Sequence, residues 1–199
     1  MRLTATLLLA ALAACASTSV PPEERPALFA TDVDAEGQLD PTNVLTAGFH
    51  PTPFSAAEIR EACTDGSYRT FRSQGMQMPG SYLRMTFTGG TDESCTVLNT
   101  VLDERMEPVS ELPAPPTTWS DLQAHGSYPA EVTTVVEAEA FVTAGEFDCW
   151  LYRVEEPDGG VWEYSFAREL PGPPVLLRHL DAEGNVDSWM ELVAHGEGE

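Results

Sequence analysis

The side chains able to do chemistry in this chain are few and widely spaced. There are four histidines, His50, His125, His179 and His195, and four cysteines, Cys15, Cys63, Cys95 and Cys149. A zinc-protease helix needs two His at i and i+4 around a Glu, so that both imidazoles reach one ion, and no such pair occurs. No Gly-x-Ser-x-Gly turn is present to expose a serine nucleophile, and no glycine-rich loop is set to cradle phosphate. Acids are so abundant, 32 Asp and Glu, that any two can be neighbours, so paired carboxylates single out nothing. Spacing therefore points to no catalytic residue, no metal and no cofactor. It favours a non-catalytic binding or scaffolding role over the alternative, a surface-tethered hydrolase whose site only the fold would assemble.

The one cysteine whose setting is informative is the first. Met1-Arg2 is a short basic start, and Leu3 to Leu12 is an apolar run broken only by Thr4 and Thr6. Such a run is far short of the roughly 20 residues that span a bilayer as a helix, and it reads as the apolar core of a signal peptide. It ends in Leu12-Ala13-Ala14-Cys15. This tetrad resembles the lipobox of bacterial lipoproteins. The resemblance implies that the Cys15 thiol carries diacylglycerol, that residues 1–14 are removed, and that the new terminus is acylated, palmitate being one such chain. With Ala16 rather than Asp after the cysteine, the resemblance implies the outer membrane of a Gram-negative cell. An ordinary secretory signal with an Ala-x-Ala cut is the other reading.

Charge agrees with export and argues against some partners. The chain has no lysine, and loss of Arg2 with the signal peptide leaves 9 Arg against 32 acids, or −23 on side chains. That field repels phosphates, so nucleic acid is excluded as a partner. It equally repels anionic lipid, so membrane attachment must come from the acyl anchor.

Residues 15–45 read as a lipid-anchored flexible tether, rich in Pro, Ser, Thr and acids with few large apolar side chains to offset ordering entropy. Within it, Asp32 to Asp40 resembles the first nine positions of an EF-hand loop, with oxygen ligands at alternating positions and Gly37 at the sharp turn. The twelfth position is Asn43 rather than a bidentate Glu, and Pro26 and Pro41 interrupt the flanking helices. We read it as a solvated acidic turn.

Residues 46–195 are then expected to form a single β-rich domain, with 196–199 a tail. Ser55-Ala56-Ala57-Glu58 is a capping box opening a short helix that carries Ile59 and Ala62, and a second helix is expected from Trp119 to His125. The rest alternates as strands: 68–74, 81–88, 95–103, 132–142, 147–154, 161–168, 175–180 and 186–193. Turns at Gly89-Gly90, Gly145, Pro157 to Gly160 and Ala182 to Asn185 separate several of them. About eight strands in series predict a mainly β fold, an antiparallel meander curled into a half-barrel or barrel with one or two short helices.

Two readings of the domain interior stay open. Trp150 and Tyr152 share one parity, as do Trp162, Tyr164 and Phe166, on strands joined by a four-residue turn. These five rings are expected on one face, lining either a ligand cavity or a filled core. Cys149 alternates with Phe147 and Leu151 and reads as a core thiol. Cys63, ending the first helix, and Cys95, opening a strand, are expected to be bridged, with three free thiols as the alternative.

The lipobox, Pro-rich stretch and helix-capped meander together resemble the lipoprotein carriers LolA and LolB, built on a curved half-barrel. The segments Gly145-Glu146-Phe147-Asp148-Cys149-Trp150 and Phe166-Ala167-Arg168-Glu169-Leu170-Pro171-Gly172-Pro173-Pro174-Val175 are similar to a joint found in uncharacterised lipoproteins. The resemblance spans about 118–193. It implies a binding domain for an apolar ligand or a partner protein, and it carries over no catalytic residue.

Overall fold

The computed structural model describes residues 26–76, 81–112 and 114–197. The expected signal peptide and Cys15 lie outside the described residues. Eleven strands run in chain order as β1 (Ala27–Asp34), β2 (Tyr68–Gln74), β3 (Tyr82–Thr88), β4 (Ser94–Leu102), β5 (Pro108–Leu112), β6 (Thr117–Thr118), β7 (Thr133–Val142), β8 (Gly145–Glu155), β9 (Val161–Ala167), β10 (Leu176–Leu180) and β11 (Val186–Gly196). Two helices, α1 (Ala56–Ala62) and α2 (Trp119–Ala124), complete the fold. The strands form one open antiparallel sheet in the order β1-β7-β8-β9-β10-β11-β2-β3-β4-β5, with the short β6 paired to β4.

This is the mainly β architecture the alternation predicts, with three differences. The chain is two meanders, β2–β5 and β7–β11, joined where the last strand pairs with β2 (Leu192 opposite Phe71). Strands β5 and β6 add to the expected set. The expected tether is also shorter, because β1 pairs with β7 from Ala27 opposite Phe141. It is held by backbone bonds, by an edge-on Phe29–Phe141 contact at 5.4 Å, and by Thr31 Oγ1 donating to the Glu137 carbonyl at 3.1 Å. The acidic segment does not form an EF-hand. Asp32 and Asp34 lie on β1, the Asp34 carboxylate accepts from Glu36 N at 2.9 Å, and Asp40 caps a single 3-10 turn.

The sheet curls strongly. Three strands separate β7 from β11, which on a flat sheet puts them about 19 Å apart at ~4.8 Å per step. Yet Ala144 N, in the turn after β7, donates to the Leu192 carbonyl at 3.1 Å, and Thr143 N donates to the Glu191 carboxylate at 2.8 Å. Curling buries one face of β7–β10 around Ala140, Phe147, Cys149, Leu176 and Leu192. The other face is covered by the helices, with Phe54, Ile59, Trp119, Tyr152 and Phe166 in a second cluster. Strand β8 feeds both, Cys149 to one side and Tyr152 to the other, which is why its sequence is apolar at both parities.

Each helix is short and fixed at its start. The Ser55 hydroxyl accepts from Glu58 N at 3.2 Å while the Glu58 carboxylate accepts from Ser55 N at 2.7 Å. Thr118 and Asp121 repeat the box at α2, which ends one residue sooner than expected, with His125 as its cap. Gln123 locks the two together. Its amide oxygen accepts from Ala56 N and its amide nitrogen donates to Thr52 Oγ1, both at 3.0 Å. Such caps contribute roughly 1 kcal/mol each, so most of the stability of these short helices comes from docking on the sheet.

Candidate functional site

The hairpin β8–β9 sets Trp150 opposite Phe166, Tyr152 opposite Tyr164 and Val154 opposite Trp162. The five rings do not share one environment. Tyr152 is fully buried and its hydroxyl donates to the Pro51 carbonyl at 2.8 Å. Trp150 packs on Phe54 (centroids 5.9 Å) with the Arg168 guanidinium 5.4 Å from its ring centre. Trp162 sits at the far end of the strand against the His179 imidazole, 4.7 Å away. Of the five, Tyr164 and Phe166 border the space between the helices and the sheet.

That space is a cavity of about 260 Å³ between the helices and the sheet. Its floor is a cross-strand row: Tyr164 on β9 stands opposite Leu177 on β10, which stands opposite Met190 on β11. Phe166, Ile59 and Leu122 supply the walls. One corner is closed by Gly126 against Pro53, where a Cβ on Gly126 would come within 2.8 Å of the proline Cδ. The lining residues with polar groups are few: Gln123, His125, Tyr128 and Tyr164. Burial pushes the Tyr128 phenol far above its usual range, so it is neutral there. A volume just below the ~300–1,000 Å³ of small-molecule sites suits one ring system or one short alkyl chain rather than a whole lipid.

A second cluster lies where β10 meets its neighbours. His179 Nδ1 is 2.8 Å from an Asp187 oxygen and Nε2 is 3.0 Å from a Glu156 oxygen, so both ring nitrogens face carboxylates. The hydrogen bond to Asp187 above all, then that to Glu156, raises its pKa above the ordinary histidine value. The charged imidazolium is thus favoured in the folded state. Its contribution is complete below the unfolded value near 6.5 and fades as pH rises through the elevated folded value. In an NMR titration, the His179 Cε1 proton should report a midpoint above 6.5 that falls in Asp187→Asn. An unchanged midpoint in that variant would contradict the pairing.

Charges are buried on the opposite face of the same strands. Glu163 is 2 % exposed, and its two oxygens meet Arg153 Nε at 3.1 Å and Arg178 Nε at 2.9 Å. Glu191 is buried as well, bound by Arg72 and by Thr143 N and Oγ1. Alternation alone places Glu163 away from the aromatics, hence toward solvent. The signal that could have corrected this is the arginine at the matching register on both neighbouring strands, Arg153 and Arg178.

Cys63, Cys95 and Cys149 are all buried free thiols, where a Cys63–Cys95 bridge was expected. Cys63 and Cys95 do enter the same core cluster, and Cys63 donates to the Pro171 carbonyl at 3.7 Å. Burial pushes the Cys63 thiol up to about 11 and Cys149 to about 12, so neither is a thiolate nucleophile near neutral pH. His50 is buried with Nε2 3.0 Å from the Thr133 carbonyl, a tie between the loop before α1 and β7. Among the described residues, no three His, Cys, Asp or Glu side chains converge as a metal site.

No protein-family profile matches this chain, and no curated protein matches it. Among solved structures it is similar to an exported protein with a YmcC-like fold from Bacteroides fragilis. The TM-score is 0.37 and the identity 10 %, covering 67 % of this chain and 97 % of that one.

Proposed function

We propose that this chain is a lipoprotein of the bacterial cell envelope, anchored through Cys15 in the outer membrane, whose β domain binds a small apolar group without transforming it. The observation that carries the binding role is the cavity floored by Tyr164, Leu177 and Met190 and walled by Phe166, Ile59 and Leu122. Neutral apolar surface facing an unfilled volume gains when a ligand removes it from water, by roughly 25 cal/mol per Å². Gln123 and the Tyr128 hydroxyl would fix orientation through one or two hydrogen bonds. The guest is either a free small molecule or an apolar side chain offered by a partner protein.

The test uses N-phenyl-1-naphthylamine, a neutral dye whose emission rises in apolar surroundings. Native protein should enhance it saturably. Leu122→Trp, which fills the volume from α2, should weaken binding at least about tenfold, the equivalent of 1.4 kcal/mol, with circular dichroism unchanged. Equal enhancement by both proteins would remove the cavity as the site.

A further inference from the structure

Among the described residues, Arg69 is a buried charge with no counter-ion. It is 3 % exposed. Its Nη1 donates to the carbonyl of its own neighbour Tyr68 at 2.9 Å, and among the described residues it enters no ion pair. The fold does not treat its other deeply buried charges this way, since Glu163 and Glu191 each hold arginine partners. A guanidinium away from water and without a counter-charge is strongly disfavoured, and burial holds the pKa of Arg69 below the usual arginine value.

Arg69 lines a cleft of about 480 Å³, separate from the aromatic cavity, where the end of α1 meets β2, β8 and the tail of β11. Phe147 is buried beside it and Ala62 and Leu170 are half-buried walls. Exposed Glu169, His195 and Glu197 stand at the mouth. His195 is the cross-strand partner of Arg69. We infer that this cleft binds a monocarboxylate carrying an apolar chain, its carboxylate on the Arg69 guanidinium and its chain along Phe147 and Leu170. A planar fork suits a carboxylate. The two acids at the mouth and a net charge of −22 act against dianions such as phosphate monoesters.

Sodium octanoate is the probe, with octanol and octyl phosphate as matched controls, titrated at pH 7 into the mature domain by calorimetry. Octanoate should bind at least about tenfold more tightly than either control, the worth of one charge-assisted pair. It should also shift the His195 ring resonances. Arg69→Gln should lose that tenfold. Should Arg69→Gln fail to fold, Ala62→Phe narrows the same cleft from the end of α1 and should give the same loss. Leu122→Trp, which fills the other cavity, should leave octanoate binding intact, so failure of either site is read separately. Octanol binding as well as octanoate, an unmoved His195 signal, or unchanged affinity in the cleft variants would each overturn the inference.

Discussion

Glu163→Ala is expected to lower the unfolding free energy by about 3 kcal/mol. The carboxylate joins three strands, with Arg153 on β8 and Arg178 on β10 in register on either side. Removing it leaves two guanidiniums facing each other across a gap. Arg153 has a side chain 43 % exposed and can swing into water, whereas Arg178, at 17 %, cannot do so without disturbing β10. The loss therefore belongs near the lower end of the 3–5 kcal/mol typical of a broken buried pair. Glu163→Gln, which keeps the shape and one acceptor, should cost less. Replacing all three residues by Met or Leu should recover most of the loss, because the desolvation of all three charges disappears together. Urea midpoints at constant slope decide it. A Glu163→Ala protein within about 0.5 kcal/mol of wild type, the range of ordinary surface substitutions, would show that the triad is a surface feature.

The same glutamate shows where sequence legibility stopped. Its parity relative to Trp162 and Tyr164 is readable from alternation, and the turn at Pro157 to Gly160 makes the β8–β9 pairing readable too. What alternation cannot say is whether the second face of a sheet stays wet. That depends on curvature, and here the turn after β7 closes onto β11 through Thr143 and Ala144. The helix starts were legible because a capping box is a local pattern of side chain and backbone. Strand β1 was not, since this edge strand is held by backbone bonds to β7 and its apolar residues, clustered mainly in Ala27 to Ala30, offer no alternation of their own. The β11–β2 junction was also hidden, because it joins residues more than a hundred positions apart with no turn to announce it. For the aromatic set, density was legible but depth was not. Three of the five rings are spent on packing against Pro51, Phe54 and His179, and only Tyr164 and Phe166 reach the cavity. Arg69 illustrates the limit most sharply, since one arginine between Tyr68 and Thr70 gives no hint that it is buried without an acid.

Cys15→Ser is expected to move the protein entirely from the membrane fraction to the soluble envelope fraction. Only a thiol forms the thioether to diacylglycerol, and serine leaves the export signal Leu3 to Ala14 untouched. Each buried CH₂ of an acyl chain contributes about 0.8 kcal/mol, so two or three long chains hold firmly where one alone would exchange. The acidic charge of the chain repels anionic headgroups. Among the described residues, no helix is long and apolar enough to cross a membrane. Because β1 begins at Ala27, the 11 residues from Ala16 to Pro26 span at most about 40 Å even when fully extended. Metabolic labelling with a radioactive fatty acid, followed by fractionation, decides between the two readings of the N-terminus. Label in the wild type alone, with the serine variant soluble, supports the anchor. An unlabelled wild type, or one that is soluble to the same extent as the variant, means an ordinary secretory signal whose cysteine carries no lipid.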